Sequence, residues 1–440
     1  AAIALEVGKG LSNVKGTIAM ARGSELNSAT SQFFFNLADN TALNIANGGY
    51  AVFGKVISGS SVLDAMAITP TSMQYGLNDF PNQNVMSSKL TPPQAQSALD
   101  AWTRKMIAWH FSPATGCDYW LKWAKTAGWD PRKEIKYFAD IAKKFSHFDD
   151  DVLRTEQPER FVPKAYAKRP YNVFETGGTT GMPKQRVGWD DYKTDYEEYS
   201  DHYGPDFFPK GNWLMVGPTG PRRLRLAVEH LANYRGDSCY FVDLDPRFVK
   251  RLIGMGDMAM ARKYQEHVID QAATILRHRK ITNMFTTPRL LENLAERMSL
   301  VKAGLKGVFV GGTTMTPQYV RFVVEEVLEN KINFAPTYGN TLMGLAISKK
   351  LTKADNYSLT YYAPQPRATL RIVNPDNPTE LVNYGEYGRV ELTTMTKEFF
   401  VPRFLERDEA IRRPACDEFP WDGVGDVRPF QSLTKTIIEG

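Results

Sequence analysis

Between residues 68 and 94 the chain reads "ITPTSMQYGLNDFPNQNVMSSKLTPPQ", with prolines at 70, 81, 92 and 93 and no sustained apolar periodicity. Neither a helix nor a central strand runs through such a stretch, so the residues on its two sides belong to separate structures. A chain of 440 residues also exceeds the length over which a single hydrophobic core keeps growing. The expectation is therefore two unlike parts, residues 1–88 with the linker and residues 89–440.

Composition excludes several classes. At 42% hydrophobic and 23% charged, with no run of 18 apolar residues, the chain reads as globular and cytoplasmic, with no membrane partner. The apolar start "AAIALEV" is too short for a signal-peptide core and has no basic lead. A net charge of +5 spread over this length, with both signs alternating, makes no nucleic-acid footprint. The compact basic cluster "GPRRLRL" places Arg222, Arg223 and Arg225 at a helix start, a solvated face by default and an anion or carrier contact as the alternative. Cys117, Cys239 and Cys416 lie far apart, which argues against a disulfide framework or zinc site. The six histidines show no paired ligand spacing, so no metal site is read from them, and His110, His202 and His230 read as packed or solvated.

In the first part "GTIAMA" and "YAVFGKVI" read as strands bounded by Gly or Asn. In the second, Thr91 caps a helix with Pro92 in its first turn and Leu99, Trp102, Met106 and Trp109 at helical spacing. "ITNMFTT" followed by Pro288 and "RLLENLAERM", then "GVFVGG", a helix opened by Thr316 and Pro317, and "INFAPTYG" alternate strand and helix as parallel sheets require. From about residue 367 strands dominate ("ATLRIV", "YGRVELTT"), which reads as an added β subdomain. The fold class is α/β.

The string "GTIAMARGSELNSATSQFFFNLADNTALNIANGGYAVFGKVISG" resembles the C-terminal half of the cyclophilin family of peptidyl-prolyl isomerases. The resemblance implies a partial β-barrel whose proline groove involves Ala21, Arg22, Gln32, Phe34 and Leu43. The family's "FHR" segment, with the arginine that polarises the prolyl amide, precedes the point where this chain begins. Against a rotation barrier near 20 kcal/mol, the expectation is a folding appendage without isomerase activity, with prolyl isomerase as an alternative. Open strand edges of a half barrel invite pairing with another chain.

The stretch "ETGGTTGMPK" at 175–184 offers backbone N–H groups, hydroxyls and a terminal lysine to an anion. It is not the GxxxxGK[ST] phosphate loop. It is similar to the "TSGTTGxPK" signature of the adenylate-forming superfamily, and four later segments follow in the family's order: "VGGTTM" at 310–315, "TYGNT" at 337–341, "GEYGRVEL" at 385–392 and "GVGD" at 423–426. The resemblance spans about residues 90–440 and looks most like phenylacetate-CoA ligase relatives and the adenylating enzymes of phenazine biosynthesis. It implies ATP-dependent activation of a small carboxylic acid, an aromatic one, as acyl-adenylate with release of pyrophosphate, and transfer to CoA or a carrier-protein thiol.

The same resemblance assigns the residues. Lys184, Thr179 and Thr180 would act on the phosphates, with Thr176, Gly177, Gly178 and Gly181 shaping the loop. Gly311, Gly312 and Thr313 would flank the adenine, Tyr338 and Gly339 would pack on it, Thr341 would reach the α-phosphate, and Asp426 would bind the ribose. Trp213, Met215 and Tyr240 line an acyl pocket or pack in the core; Glu175 is a flank of the loop. Mg²⁺ is expected with ATP, yet the family's metal-binding glutamate is replaced by Leu342, which cannot hold a hard cation. The chain stops at Gly440, where the family's hinge to a catalytic-lysine lid begins. Both departures keep open a second reading, a scaffold that binds nucleotide or acid without turnover.

Overall fold

The computed structural model describes residues 3–57, 90–176, 182–220, 222–312 and 314–430, and the backbone of 71–74 and 77–81. It divides into two units, Ala1–Leu90 and Thr91–Gly440.

The small unit holds a three-stranded antiparallel sheet of β1 (Thr17–Met20), β2 (Phe33–Phe35) and β3 (Val52–Lys55) in the order β2-β1-β3. A separate antiparallel pair joins β4 (Thr71–Gln74) and β5 (Leu77–Pro81). Cross-strand partners share a face. Phe33 pairs with Met20 and Phe35 with Ile18, and this face carries exposed aromatics. Polar groups take the interior instead. The Asn36 amide donates to Asn13 Oδ1 (3.0 Å) and Thr17 Oγ1 (2.9 Å), and Asn13 Nδ2 donates to Asn44 Oδ1 and Tyr50 O, both at 3.0 Å. Buried amides must be paired, and here they pair with one another.

The large unit is built on strands β6 (Asn172–Glu175), β7 (Gln185–Gly188), β8 (Trp213–Pro218), β9 (Cys239–Leu244), β10 (Asn283–Thr286), β11 (Gly307–Gly311), β12 (Asn333–Asn340), β13 (Gly344–Ser348), β14 (Thr360–Tyr362), β15 (Ala368–Val373), β16 (Tyr387–Met395), β17 (Phe400–Arg413) and β18 (Gly423–Pro429). Eleven form one sheet in the order β15-β16-β17-β18-β14-β13-β12-β11-β10-β8-β9, and β6 pairs with β7 apart from it. From β9 to β12 neighbours run parallel; from β12 onward they run antiparallel. The strand-rich C-terminal segment is thus hydrogen-bonded into the same sheet as the strand–helix units.

The parallel strands read as unbroken apolar runs because both faces are covered. Leu214, Val216, Met284, Val308 and Val310 point to one layer, packed with Val268, Ala272 and Leu276 of the helix Met258–His278. Trp213, Met215, Phe285 and Phe309 point to the other, against Tyr192, Tyr196, Tyr199 and Tyr203 of the helix Asp191–Tyr203 and against the helix Arg222–Tyr234. Trp213 and Met215, candidates for an acyl pocket, are fully buried in this packing. The helix Pro92–His110 starts where Thr91 and Pro92 place it, with the Thr91 N–H donating to Gln94 Oε1 at 2.9 Å. It packs Leu99 and Met106 in a third cluster with Trp120, Phe145 and Phe400. The helix opened by Thr316 is α only over Pro317–Phe322 and widens to a π turn at Val323–Val327, ending where Glu329 and Asn330 turn left-handed.

Candidate functional site

In open α/β sheets, ligands bind beyond the carboxyl ends of the strands, where the strand order or direction switches. Here that place is the end of β12, the last parallel strand. Gly311 at the end of β11 lies beside Thr337 in register, and a Cβ on Gly311 would stand 2.9 Å from the Thr337 hydroxyl. Gly312 follows with φ +104°, a conformation side chains rarely adopt. Next, Gly339 lets β12 close on β13: a Cβ there would meet the Gly344 carbonyl at 2.3 Å.

The turn after β12 is held by its own side chain. Asn340 Oδ1 accepts the N–H groups of Leu342 and Met343, both at 2.9 Å, and its Nδ2 donates to Glu406 Oε1 at 2.6 Å. Two steps earlier, the Tyr338 hydroxyl donates to Asp408 Oδ2 at 2.8 Å. Thr341 Oγ1 donates to the Glu175 carbonyl at 3.3 Å, which brings the end of β6 to the same turn.

β6 and β7 flank the glycine-rich stretch. Thr176 N donates to the Lys184 carbonyl at 3.0 Å, and Lys184 N to Thr176 Oγ1 at 3.1 Å, closing the base of the loop. Gly177, Gly178, Thr179, Thr180, Gly181 and Thr313 lie outside the described residues. The Lys184 ammonium is nearly buried, 2.8 Å from Asp150 Oδ2 and 4.3 Å above the Phe404 ring. Arg154 holds the same Asp150 at 2.9 Å. The neighbouring Asp149, Asp150 and Asp151 bring carboxylate oxygens within 4.8 Å of one another; Asp150 is committed to these two cations.

Arg186, two residues past Lys184, is fully buried and donates from Nη1 to the Thr341 (2.9 Å) and Leu342 (2.8 Å) carbonyls. Asp191 pairs with its other nitrogen, and the Phe399 ring lies 4.5 Å from the guanidinium. Burial pushes the Arg186 pKa down to about 9. One side chain therefore fastens the loop strand to the Tyr338–Thr341 turn.

Burial pushes the Glu406 carboxyl up to about 7, with the Lys184 charge opposing and the Asp408 charge adding. Asp408 is raised as well, by burial, with the Tyr338 hydroxyl opposing. Asp426 has Arg413 Nη2 at 3.3 Å and φ +47°. Leu342, in place of the expected glutamate, is 2% exposed and packed in the core. Phe404, Glu406 and Asp408 were not legible as site residues. Their signal is the alternation in "RFLERDEA", where charged residues occupy inward positions of a strand. Elsewhere, His202 faces Glu418 at 3.3 Å, His230 faces Glu197 at 2.7 Å, and buried His110 contacts Thr396 O at 2.6 Å. Tyr240 is partly buried against the core.

In the small unit, Ala21 N donates to the Gln32 carbonyl at 2.9 Å. Phe34 pairs with Ala19 and lies 5.8 Å from the Tyr50 ring. Arg22 stacks over Tyr50 at 4.8 Å and donates to the carbonyls of Gly23, Asn47 and Gly49. Leu43 joins through the bond from Tyr50 N at 2.9 Å. Phe34, Arg22 and Leu43 thus meet at Tyr50, Ala21 and Gln32 are bonded through the backbone, and the Arg22 guanidinium is spent on backbone carbonyls.

Comparison with known proteins resolves the two units separately. Residues 1–90 match the family described as cyclophilin type peptidyl-prolyl cis-trans isomerase/CLD. The peptidyl-prolyl cis-trans isomerase of Acinetobacter baylyi is 54% identical over 83 residues, 18% of this chain and 44% of that protein. Isomerase B of Escherichia coli is 37% identical over 91 residues, 20% of this chain and 56% of that protein. The chain therefore spans about half the length of the curated relatives it matches. Among solved structures, 2-hydroxyisobutyryl-CoA ligase in an open conformation with 2-HIB-AMP and CoA superposes with a TM-score of 0.56 at 12% identity, covering 76% of this chain and 69% of that one. Its postadenylation state with 2-HIB-AMP gives 0.56 at 13%, covering 76% and 67%. The chain is a mixed α/β protein with a cyclophilin-like N-terminal region and the fold of adenylate-forming ligases. Among the described residues no helix is long and apolar enough to cross a membrane.

Proposed function

We propose that the unit from Thr91 onward activates a carboxylic acid with ATP, forming an acyl-adenylate and releasing pyrophosphate. The observation that carries this reading is the meeting of the Lys184 strand, the Tyr338–Thr341 turn and the Glu406/Asp408 pair at the carboxyl end of β12. The acid's carboxylate oxygen attacks the α-phosphorus, the bond to the pyrophosphate oxygen breaks, and the charge that gathers there needs cations and N–H donors. Lys184 supplies one, after exchanging Asp150 for phosphate. Thr179, Thr180 and the loop glycines supply others in this reading. Thr341 presents its hydroxyl at the turn that Arg186 fixes.

Tyr338 offers its ring to the adenine. For the ribose the reading offers two carboxylates, Asp426 from the motif and Asp408, which is bonded to the Tyr338 hydroxyl; Asp408→Asn against Asp426→Asn separates them by the KM for ATP. The Leu342 side chain gives a metal no oxygen and its carbonyl is taken by Arg186 and Thr394, so the fit rests on Glu406, a hard donor beside Asn340 and within the field of Lys184. Mg²⁺ arriving with the nucleotide would be held by Glu406 and the phosphates, and would neutralise phosphate charge.

An aromatic acid, and transfer to CoA or a carrier-protein thiol, are proposed on the resemblance of the sequence motifs. A scaffold that binds without turnover is favoured by two observations, the apolar burial of Leu342 and the sequestration of Lys184 by Asp150. For the small unit we propose prolyl-peptide contact at Phe34 and Gln32, as in the family it resembles. Calorimetry with ATP and Mg²⁺ tests the nucleotide site: binding should weaken about tenfold or more in Lys184→Ala and tighten in Asp150→Asn. Binding indifferent to both variants would refute the site.

A further inference from the structure

The most exposed apolar surface of the large unit outside the candidate site is the helix Pro246–Gly254 with the first turn of the helix Met258–His278. Phe248, Ile253, Met255, Met258 and Met260 are between 42% and 69% exposed, although every one lies within thirteen consecutive residues. Across 246–263 only Leu252 and Ala261 are buried. Soluble surfaces seldom leave such a patch open without a partner.

Within residues 246–263 basic residues outnumber acidic ones. Arg247, Lys250, Arg251, Arg262 and Lys263 stand against the single acid Asp257 in this segment. Arg247 is taken by Glu175 at 2.7 Å. Among the described residues the other four have no carboxylate in ion-pair range; Arg251, Arg262 and Lys263 are exposed, while burial lowers the pKa of the Lys250 ammonium.

We infer that this helical corner is a docking surface for an acidic amphipathic helix of a partner protein. Charge complementarity selects an acidic partner, and the apolar stripe between the basic residues selects one whose helix also carries an apolar face. Three of the five open apolar side chains are methionines, which are unbranched and polarisable and mould to a protein surface. A lipid-inserting face would favour Trp, Leu and Phe. Arg247 ties this corner to Glu175 at the end of β6, so a partner seated here meets the flank of the candidate site; that last step alone rests on the function proposed above.

The test uses the full chain and a labelled peptide of about 20 residues with Leu at i, i+3, i+4 and i+7 and Glu elsewhere, read by fluorescence anisotropy. A twin peptide with Lys for every Glu is the control. The Glu peptide should bind, weaken with salt, and lose about tenfold in affinity in the double variant Lys250→Glu/Arg251→Glu and in Met255→Ser/Met258→Ser. All four positions are exposed, and unchanged circular dichroism reports the intact fold. No binding, equal binding of the Lys twin, or indifference to both variants would overturn the inference. So would selective binding to phosphatidylglycerol vesicles with the Glu peptide ignored. Loss of ATP binding elsewhere in the molecule leaves this readout unaffected, which separates the two claims.

Discussion

Phe33 and Phe309 are both phenylalanines in short strands. Phe309 has neighbours on both strand edges and helices on its layer, and is 0% exposed; Phe33 sits on an outer strand of three and is 55% exposed. The small unit hides Asn13 and Asn36 and shows its rings, whereas the large unit hides its rings and shows charge. Burial is a property of layers, not of residue type. A three-stranded sheet has one inner face to offer; here Thr17 and Ala19 take it, with the amides of Asn13 and Asn36 paired beside it.

The largest difference should come from emptying the two sites. Phe309→Ala should cost about 3–5 kcal/mol in urea unfolding of the large unit, while Phe33→Ala should cost less than about 0.5 kcal/mol. Equal losses would mean that the Phe33 face is covered in solution.

Next is the buried cation. Arg186→Ala leaves Asp191 with Arg223 and Thr396 at 3.4 Å and takes a donor from each of two turn carbonyls, and should cost about 3 kcal/mol. It should also weaken ATP binding, because the Thr341 turn loses its fastening.

Within the small unit the comparison inverts. Asn36→Ala should cost about 1–3 kcal/mol, more than any of its exposed phenylalanines, since it removes the donor to Asn13 Oδ1 and Thr17 Oγ1 and the acceptor of Asn40 Nδ2. A loss smaller than that of Phe33→Ala would break the account of which face is the inside.

The smallest effect is a slope with pH. The Glu406 carboxyl is raised to about 7 from an ordinary value of 4.5. Between these values the folded state keeps a proton that the unfolded chain releases, so stability should fall as pH rises through this window. His110, lowered to about 4 by burial, acts oppositely: the unfolded chain binds the extra proton, so stability rises with pH from about 4 to 6.5. Glu406→Gln should reduce the fall, to which the raised Asp408 carboxyl also contributes, and leave the rise, as read from urea midpoints across that range.

Legibility in the sequence follows the same divide. The cap of Thr91 and Pro92, the apolar runs of β10 and β11 and the strand around Thr337 are local signals, and each stands where its residues place it. Lys184 and Tyr338 stand out in the sequence because each lies in a contiguous motif, and their roles belong to the function proposed above. The candidate site was not readable at Glu406, Asp408 or Asp150, because those carboxylates reach the turn from strands and loops far away in the chain. Trp213 and Met215 show the converse. Apolar character alone cannot tell a pocket lining from a core layer, and only the register of β8 against β10 decides it.

The central claim is acyl-adenylate formation at the end of β12. Its most direct test is ATP–pyrophosphate exchange by this chain with Mg²⁺ and a panel of aliphatic and aryl acids, with Lys184→Ala alongside. The account predicts exchange that depends on one class of acid and falls at least about a hundredfold in the variant. Exchange that is independent of acid or unchanged by Lys184→Ala, or no exchange with any acid while ATP still binds, would contradict it.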